Sequence, residues 1–167
     1  MEFDHLLRSL EATSFATAIR EGNSLFPWLE GLHVLADTLV IGTIAIVDLR
    51  LMGLASRDRS ITRLTAEVLP CTWAAFAVAA ITGSLLFSSR AFDYAHNPFL
   101  RAKFVFMTLA GANMLVFHLL GSRDVDAWGA PEQSTPLRAR IAGAASLLLW
   151  IGVAVCGRWI GFTLARG

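Results

Sequence analysis

Apolar residues run almost without a break from Phe26 to Leu54, and three further stretches of the same kind follow, so the pattern predicts spans at about 26–54, 68–88, 98–121 and 137–165. Each reaches the ~20 apolar residues that cover the hydrocarbon core of a bilayer. Pro27 suits the first turn of the opening span, where a missing donor costs nothing, Pro70 opens or kinks the second, and Pro98 starts the third. Polar connections separate the spans: Ser56 to Thr65, Arg90 to Asn97, and Ser122 to Pro136, the longest, with Trp128 placed to dip into the headgroup layer. Ahead of them, Phe3, Leu6, Leu7, Leu10, Phe15 and Ile19 recur near the helical period among charges, the pattern of an amphipathic helix lying on the membrane surface. It opens with Glu2 and Asp4 and has no continuous apolar core, unlike a signal peptide, and is expected to be retained. Gly22, Asn23 and Ser24 end it. The predicted organisation is a surface helix over residues 1–24 and a four-span transmembrane bundle over 25–167, an all-α, up-down fold.

Composition agrees with the pattern. The chain is 55% hydrophobic and 16% charged with mean hydropathy +0.57, whereas soluble domains carry roughly a quarter charged residues. A net charge of +1 offers no electrostatic surface for nucleic acid. Cys71 and Cys156 lie in apolar runs without CxxC spacing and read as packing residues. Seven basic residues fall on the face shared by the termini and seven on the other, but the second set all sits in or beside short loops. The positive-inside rule then places both termini on the periplasmic side of a bacterial inner membrane.

The candidate chemistry lies early in the first span. At about 100° per residue, Glu30, His33 and Asp37 fall within roughly a 60° arc, so one helix face gathers two carboxyl groups and an imidazole. Ionisable groups at such depth are costly unless paired, liganded or wetted. Asp48 and Arg50, about 200° apart, do not pair and are expected to mark the water interface, with Arg50 snorkelling to phosphates. Lys103, Asn113 and His118 lie in the third span, and Arg158 near the end of the fourth. His33 and His118 differ in depth by roughly 15 to 20 Å and cannot ligate one iron together. His118 therefore caps a helix end or belongs to a separate metal site. Gly157 and Gly161 have the spacing for close helix contact and for a homo-oligomer.

Glu30 with His33, the run Asp48-Leu49-Arg50-Leu51-Met52-Gly53, Gly83 with Leu86 and Phe87, Asn97-Pro98-Phe99 with Lys103, and Asn113 with Phe117 and His118 together resemble an uncharacterised family of small bacterial four-helix membrane proteins. More remotely the chain is similar to the J-type bacterial protoporphyrinogen oxidase and to copper-resistance D-type membrane proteins. In that oxidase a histidine early in the first span binds haem b, and a lysine begins a later span that ends in an aromatic-histidine pair; His33, Lys103, and Phe117 with His118 occupy those positions. The interval from Lys103 to His118 is about one helical turn longer than in the oxidase, and Glu30 and Asp37 are not part of its pattern. The likeness thus implies a haem-binding bundle more than it implies porphyrinogen oxidation.

Three functional expectations stand side by side. In the first, the protein binds haem b for redox or electron-transfer work. His33 is an axial ligand between the first three spans, Arg90, Arg101, Lys103 or Arg158 meets the propionates, and Glu30 or Asp37 bonds the ring nitrogen turned away from iron. Met107 and His96 are candidates for the sixth ligand, and a quinone or a redox protein is the partner besides membrane lipid. In the second, Glu30, His33 and Asp37 hold a divalent metal or carry protons in a small transporter. In the third, the same residues only fix helix packing or an oligomer interface.

Overall fold

Among the residues that the computed structural model describes (2–22, 24–121, 125–131 and 133–164), every regular element is helical. Asn23, Ser122, Arg123, Ala165 and Arg166, which enter the expectations above, lie outside them. The order is α1 (Glu2–Glu11), α2 (Ser14–Glu21), α3 (Leu25–Leu51), α4 (Ile61–Ser89), α5 (Ala91–His96), α6 (Pro98–Val116), a π-helical turn (Phe117–Gly121), α7 (Val125–Trp128) and α8 (Leu137–Leu164). Four of them, α3, α4, α8 and α6 with its π extension, are long and apolar enough to cross a bilayer. The chain is an all-α bundle of the multi-pass membrane type.

Local chemistry sets the boundaries. Ser60 caps α4 by accepting from the Arg63 backbone N–H, so the second span begins at Ile61 instead of residue 68. Its first turns carry Arg63 and Glu67, paired at 3.0 Å on the exposed side, and hydropathy alone does not register such turns. Pro70 lies inside α4 rather than at its start, as membrane helices tolerate. Asn97 caps α6, accepting from Phe99 and Leu100 N–H with Pro98 in the first turn, while residues 91–96, expected as a link, form the short helix α5. The amphipathic segment is two helices, broken where Thr13 caps α2. At the far end of α3, Gly53 adopts φ +74°, with bonds from Gly53 N to Arg50 O and from Leu54 N to Leu49 O that close the helix in a Schellman motif.

Membrane solvation turns the usual burial pattern inside out. Leu32, Leu35, Leu39, Trp73, Phe104, Leu148 and Trp159 are exposed on the outer faces, whereas Asp48, Arg50, Thr82, Ser89, Asn97 and Lys103 are buried. Lipid tails are as apolar as leucine, so helix association relies on close backbones and polar bonds more than on hydrophobic burial. Side by side, α4 packs on α3, α3 on α8, and α8 on α6; α4 and α6 make no close backbone approach among the described residues. The N-terminal helices cover one end of this row. The Arg20 guanidinium donates to Ser89 O at 3.2 Å, Glu11 accepts from the Phe92 N–H at 2.8 Å, and the Arg8 guanidinium lies over the Phe92 ring.

At the opposite end Arg50 does not snorkel. It is 1% exposed and donates to the carbonyls of Arg59, Gly129 and Ala130 and to the Thr135 hydroxyl, tying together the loops that follow α3 and α7. A fork of five donors is the side chain that can meet several backbone acceptors at once. Trp128, expected among headgroups, is half-buried instead, with its ring 6.4 Å from Phe117 in a small cluster with Leu51, Ile61 and Ala139.

Candidate functional site

The helical arc of α3 is the starting point, and the neighbours decide what it holds. His33 turns towards α4, where Nδ1 lies 3.0 Å from both Ala79 O and the Thr82 hydroxyl oxygen. A carbonyl can only accept, and the Thr82 hydroxyl is already placed to donate to Val78 O at 2.7 Å, so Nδ1 carries the hydrogen. Room for the ring comes from Gly83. A Cβ there would sit 2.9 Å from His33 Cε1, so a side chain at 83 and this imidazole exclude one another.

With Nδ1 committed, Nε2 faces the next turn of α3 and lies 3.6 Å from Asp37 Oδ2. The same oxygen accepts from Lys103 Nζ at 2.8 Å. Lys103 comes from α6, which does not approach α3 backbone to backbone; its stem bridges the interval, and its ammonium lies beside Gly157 of α8, whose Cβ would stand 3.7 Å away. One line of polar groups therefore crosses all four spans: Thr82 and Gly83, His33, Asp37, Lys103, Gly157. The side chains of His33, Asp37 and Lys103 are 20%, 28% and 11% exposed, so the line is sheltered without being sealed. It reaches from α4 to α6, the two outer helices of the row.

With this cluster, the capped helices and the apolar spans in view, the family model for a family of unknown function, DUF6644, matches residues 13–163. The chain belongs to that family. No curated protein and no solved structure matches it.

For this DUF6644 member the remaining candidates fall elsewhere. Glu30 is exposed, one turn nearer the terminal end than His33, and bonds neither ring nitrogen. Its charge is felt by Tyr94, whose phenol is pushed up by burial first and by Glu30 second, with Arg90 opposing. Arg101 donates to Ala95 O and Arg158 lies over the Phe162 ring at 4.6 Å, so neither reaches His33. His96 bonds Phe92 O through Nδ1 and stands 3.5 Å from Asp4, as part of the N-terminal cover. His118 sits exposed on the π turn at the opposite end. Gly157, expected with Gly161 to serve helix contact, faces Lys103 inside the bundle, whereas Gly161 looks onto open space. Among the described residues no three His, Cys, Asp or Glu side chains gather as a metal site.

Haem meets a specific obstacle. The Nδ1–H bond to a backbone carbonyl is the support that ligating histidines use, and it leaves Nε2 for iron. That nitrogen, however, faces the Asp37–Lys103 pair, so the residues present do not fit an axial histidine until the pair is moved aside. Clefts of about 240 and 300 Å³ flank Arg90 at the terminal end, and neither is lined by His33 or Lys103.

The partner that pattern reading missed is the contact between Asp37 and Lys103. Periodicity gave the face of α3 but not which distant lysine would meet it. The available signal was depth: Lys103 lies about one and a half turns into α6, where an ammonium either snorkels to the interface or finds a partner inside the bundle.

Proposed function

We propose that this protein is a small proton-coupled carrier of the bacterial inner membrane, in which Asp37 binds and releases the coupling proton. The observation that carries the reading is the sheltered carboxylate of Asp37, which accepts from the Lys103 ammonium and stands 3.6 Å from His33 Nε2 at the junction of the spans. With Asp37 ionised, Lys103 charged and His33 neutral, the cluster has no net charge and is tolerable in a low-dielectric interior. A proton taken up at the His33 Nε2 lone pair and passed to Asp37 Oδ2 discharges the carboxylate and releases Lys103. The cluster then carries one positive charge, which the interior does not tolerate until the helices rearrange, with or without a solute aboard. That obligation is the physical content of coupling. It also makes the loaded state sensitive to membrane potential, by at most about 2.3 kcal/mol per 100 mV for a charge crossing the whole field. The termini face the periplasm in this reading, and the cluster opens on their side.

A second reading, haem b on His33 in a redox protein served by a quinone or a redox partner, is favoured by the Nδ1–carbonyl bond and by the likeness of His33 and Lys103 to the oxidase pattern. A homo-oligomer is the expected assembly in both. Purified protein, expressed with ample haem and reconstituted into vesicles containing a pH-sensitive dye, tests both. Acidification driven by a potassium diffusion potential, faster than in protein-free vesicles, supports the carrier. A Soret band that disappears in His33→Ala, without proton flux, overturns it in favour of haem.

A further inference from the structure

Three turns beyond Asp37 on the same face of α3, eleven residues along, lies a second carboxyl group that the site above does not use. Asp48 is 4% exposed, and its Oδ2 is buried with no hydrogen-bond partner among the described residues. Among the described residues, the Ser146 hydroxyl of α8 bonds the group. No ion pair between described residues includes it. Arg50, two residues on, points round the helix and spends its guanidinium on loop carbonyls and Thr135.

The other charged groups of this end are turned outward. In the turn after α3, Arg57, Asp58 and Arg59 are exposed, as are Arg63 and Glu67 at the start of α4. On α8, Arg138 and Arg140 are exposed, and so is His118 on the π turn. Asn113 of α6 gives its amide to Ala142 O. Among the described residues a bare carboxylate in such a place has no counter-charge, and one of its buried oxygens has no donor. A hard metal cation would gather about six or more oxygens, and Ser146 supplies the one side-chain hydroxyl bonded here. A proton needs nothing more than the orphan oxygen.

Packing around the group gives the proton a consequence. Gly143 lets α8 approach α3 so closely that a Cβ there would stand 2.9 Å from the Asp48 carbonyl oxygen and 3.0 Å from Leu51 Cβ. Oδ2 is buried in this closed packing. We propose that Asp48 is a proton-binding site in the leaflet away from the termini, held as the neutral acid while α3 and α8 are in contact at Gly143, and that loss of its proton opens this end of the bundle. The site stands whether or not Asp37 carries protons.

Infrared difference spectroscopy on the full-length protein in lipid tests it, together with hydrogen exchange. At neutral pH a carboxylic C=O band is expected that vanishes in Asp48→Asn and persists in Asp37→Asn. As pH is raised the band should disappear, and amide exchange across residues 139–146 should rise with the same midpoint. Gly143→Ala, which props the contact apart, should lower that midpoint. Should Asp48→Asn fail to fold, carbon-13 labelling of aspartate in the unaltered chain must shift the band, and Asp48→Glu must move it. Absence of such a band at neutral pH, its survival in folded Asp48→Asn, or exchange at 139–146 that ignores its loss overturns the proposal.

Discussion

Breaking the bond between Lys103 and Asp37 from either side should expose how much of the bundle depends on it. Nζ and Oδ2 are 2.8 Å apart. At an effective dielectric of about 20 two unit charges at that distance attract by ~6 kcal/mol, part of which offsets their desolvation. Removing one member of a buried pair costs ~3–5 kcal/mol. Asp37 keeps 28% of its side chain exposed, which favours the lower end. Lys103→Met and Asp37→Asn should therefore each cost about 3 kcal/mol, and the double substitution about 3 rather than their sum, because it leaves no unpaired charge. The coupling of about 3 kcal/mol would exceed the ~0.6 kcal/mol average of neutral polar contacts between membrane helices. Steric-trap unfolding in bicelles gives all four free energies under one set of conditions. A coupling below about 0.5 kcal/mol, within ordinary additivity, would refute the pairing.

Arg50→Met should cost about 3 kcal/mol or more, since it strips buried carbonyls of their donor, and should speed proteolysis in the 129–135 loop before the spans are touched. Gly83→Ala should cost ~1–3 kcal/mol and erase the nitrogen-15 signature of the His33 Nδ1–H bond, while Gly42→Ala, where a Cβ meets nothing within 4 Å, leaves both unchanged. The chain has one tyrosine, so alkaline titration of its ultraviolet absorbance reports Tyr94 alone. Burial disfavours the phenolate, so the folded protein should titrate above the ordinary tyrosine range, and Glu30→Gln should narrow the gap. The sign for stability follows: the neutral phenol costs nothing below the unfolded pKa, and stability falls as pH rises through it.

Much of the architecture was readable because it depends on short-range rules. Apolar length set the four spans, and Pro98 after Asn97 marked a helix start that the Asn97 side chain completes. Gly53, which ends α3 at Leu51, was passed over by a span carried to Leu54. Where the reading fell short, the deciding partner was distant in sequence. Arg50 looked like a snorkelling residue because its acceptors are backbone carbonyls some 80 residues away, and carbonyls carry no sequence signature. The first turns of α4 were missed because their charged pairs mask helicity in a hydropathy scale. At the candidate site the α3 face of His33 and Asp37 followed from 100° geometry, approximately. Glu30 shares that arc yet stays outside, because one turn nearer the helix end it can reach water. Lys103 was expected to meet a haem propionate, and only the packing order of the helices gives it Asp37.

The measurement that bears most directly on the proposed function is proton flux into proteoliposomes reconstituted with equal amounts of wild type, Asp37→Asn and, as a surface control, Asp58→Asn. Wild type and Asp58→Asn should acidify the lumen at the same potential-driven rate, with Asp37→Asn reduced to the leak of protein-free vesicles. Equal rates in Asp37→Asn and wild type, or a wild type no faster than lipid alone, would contradict the assignment of Asp37 as the proton-binding carboxylate.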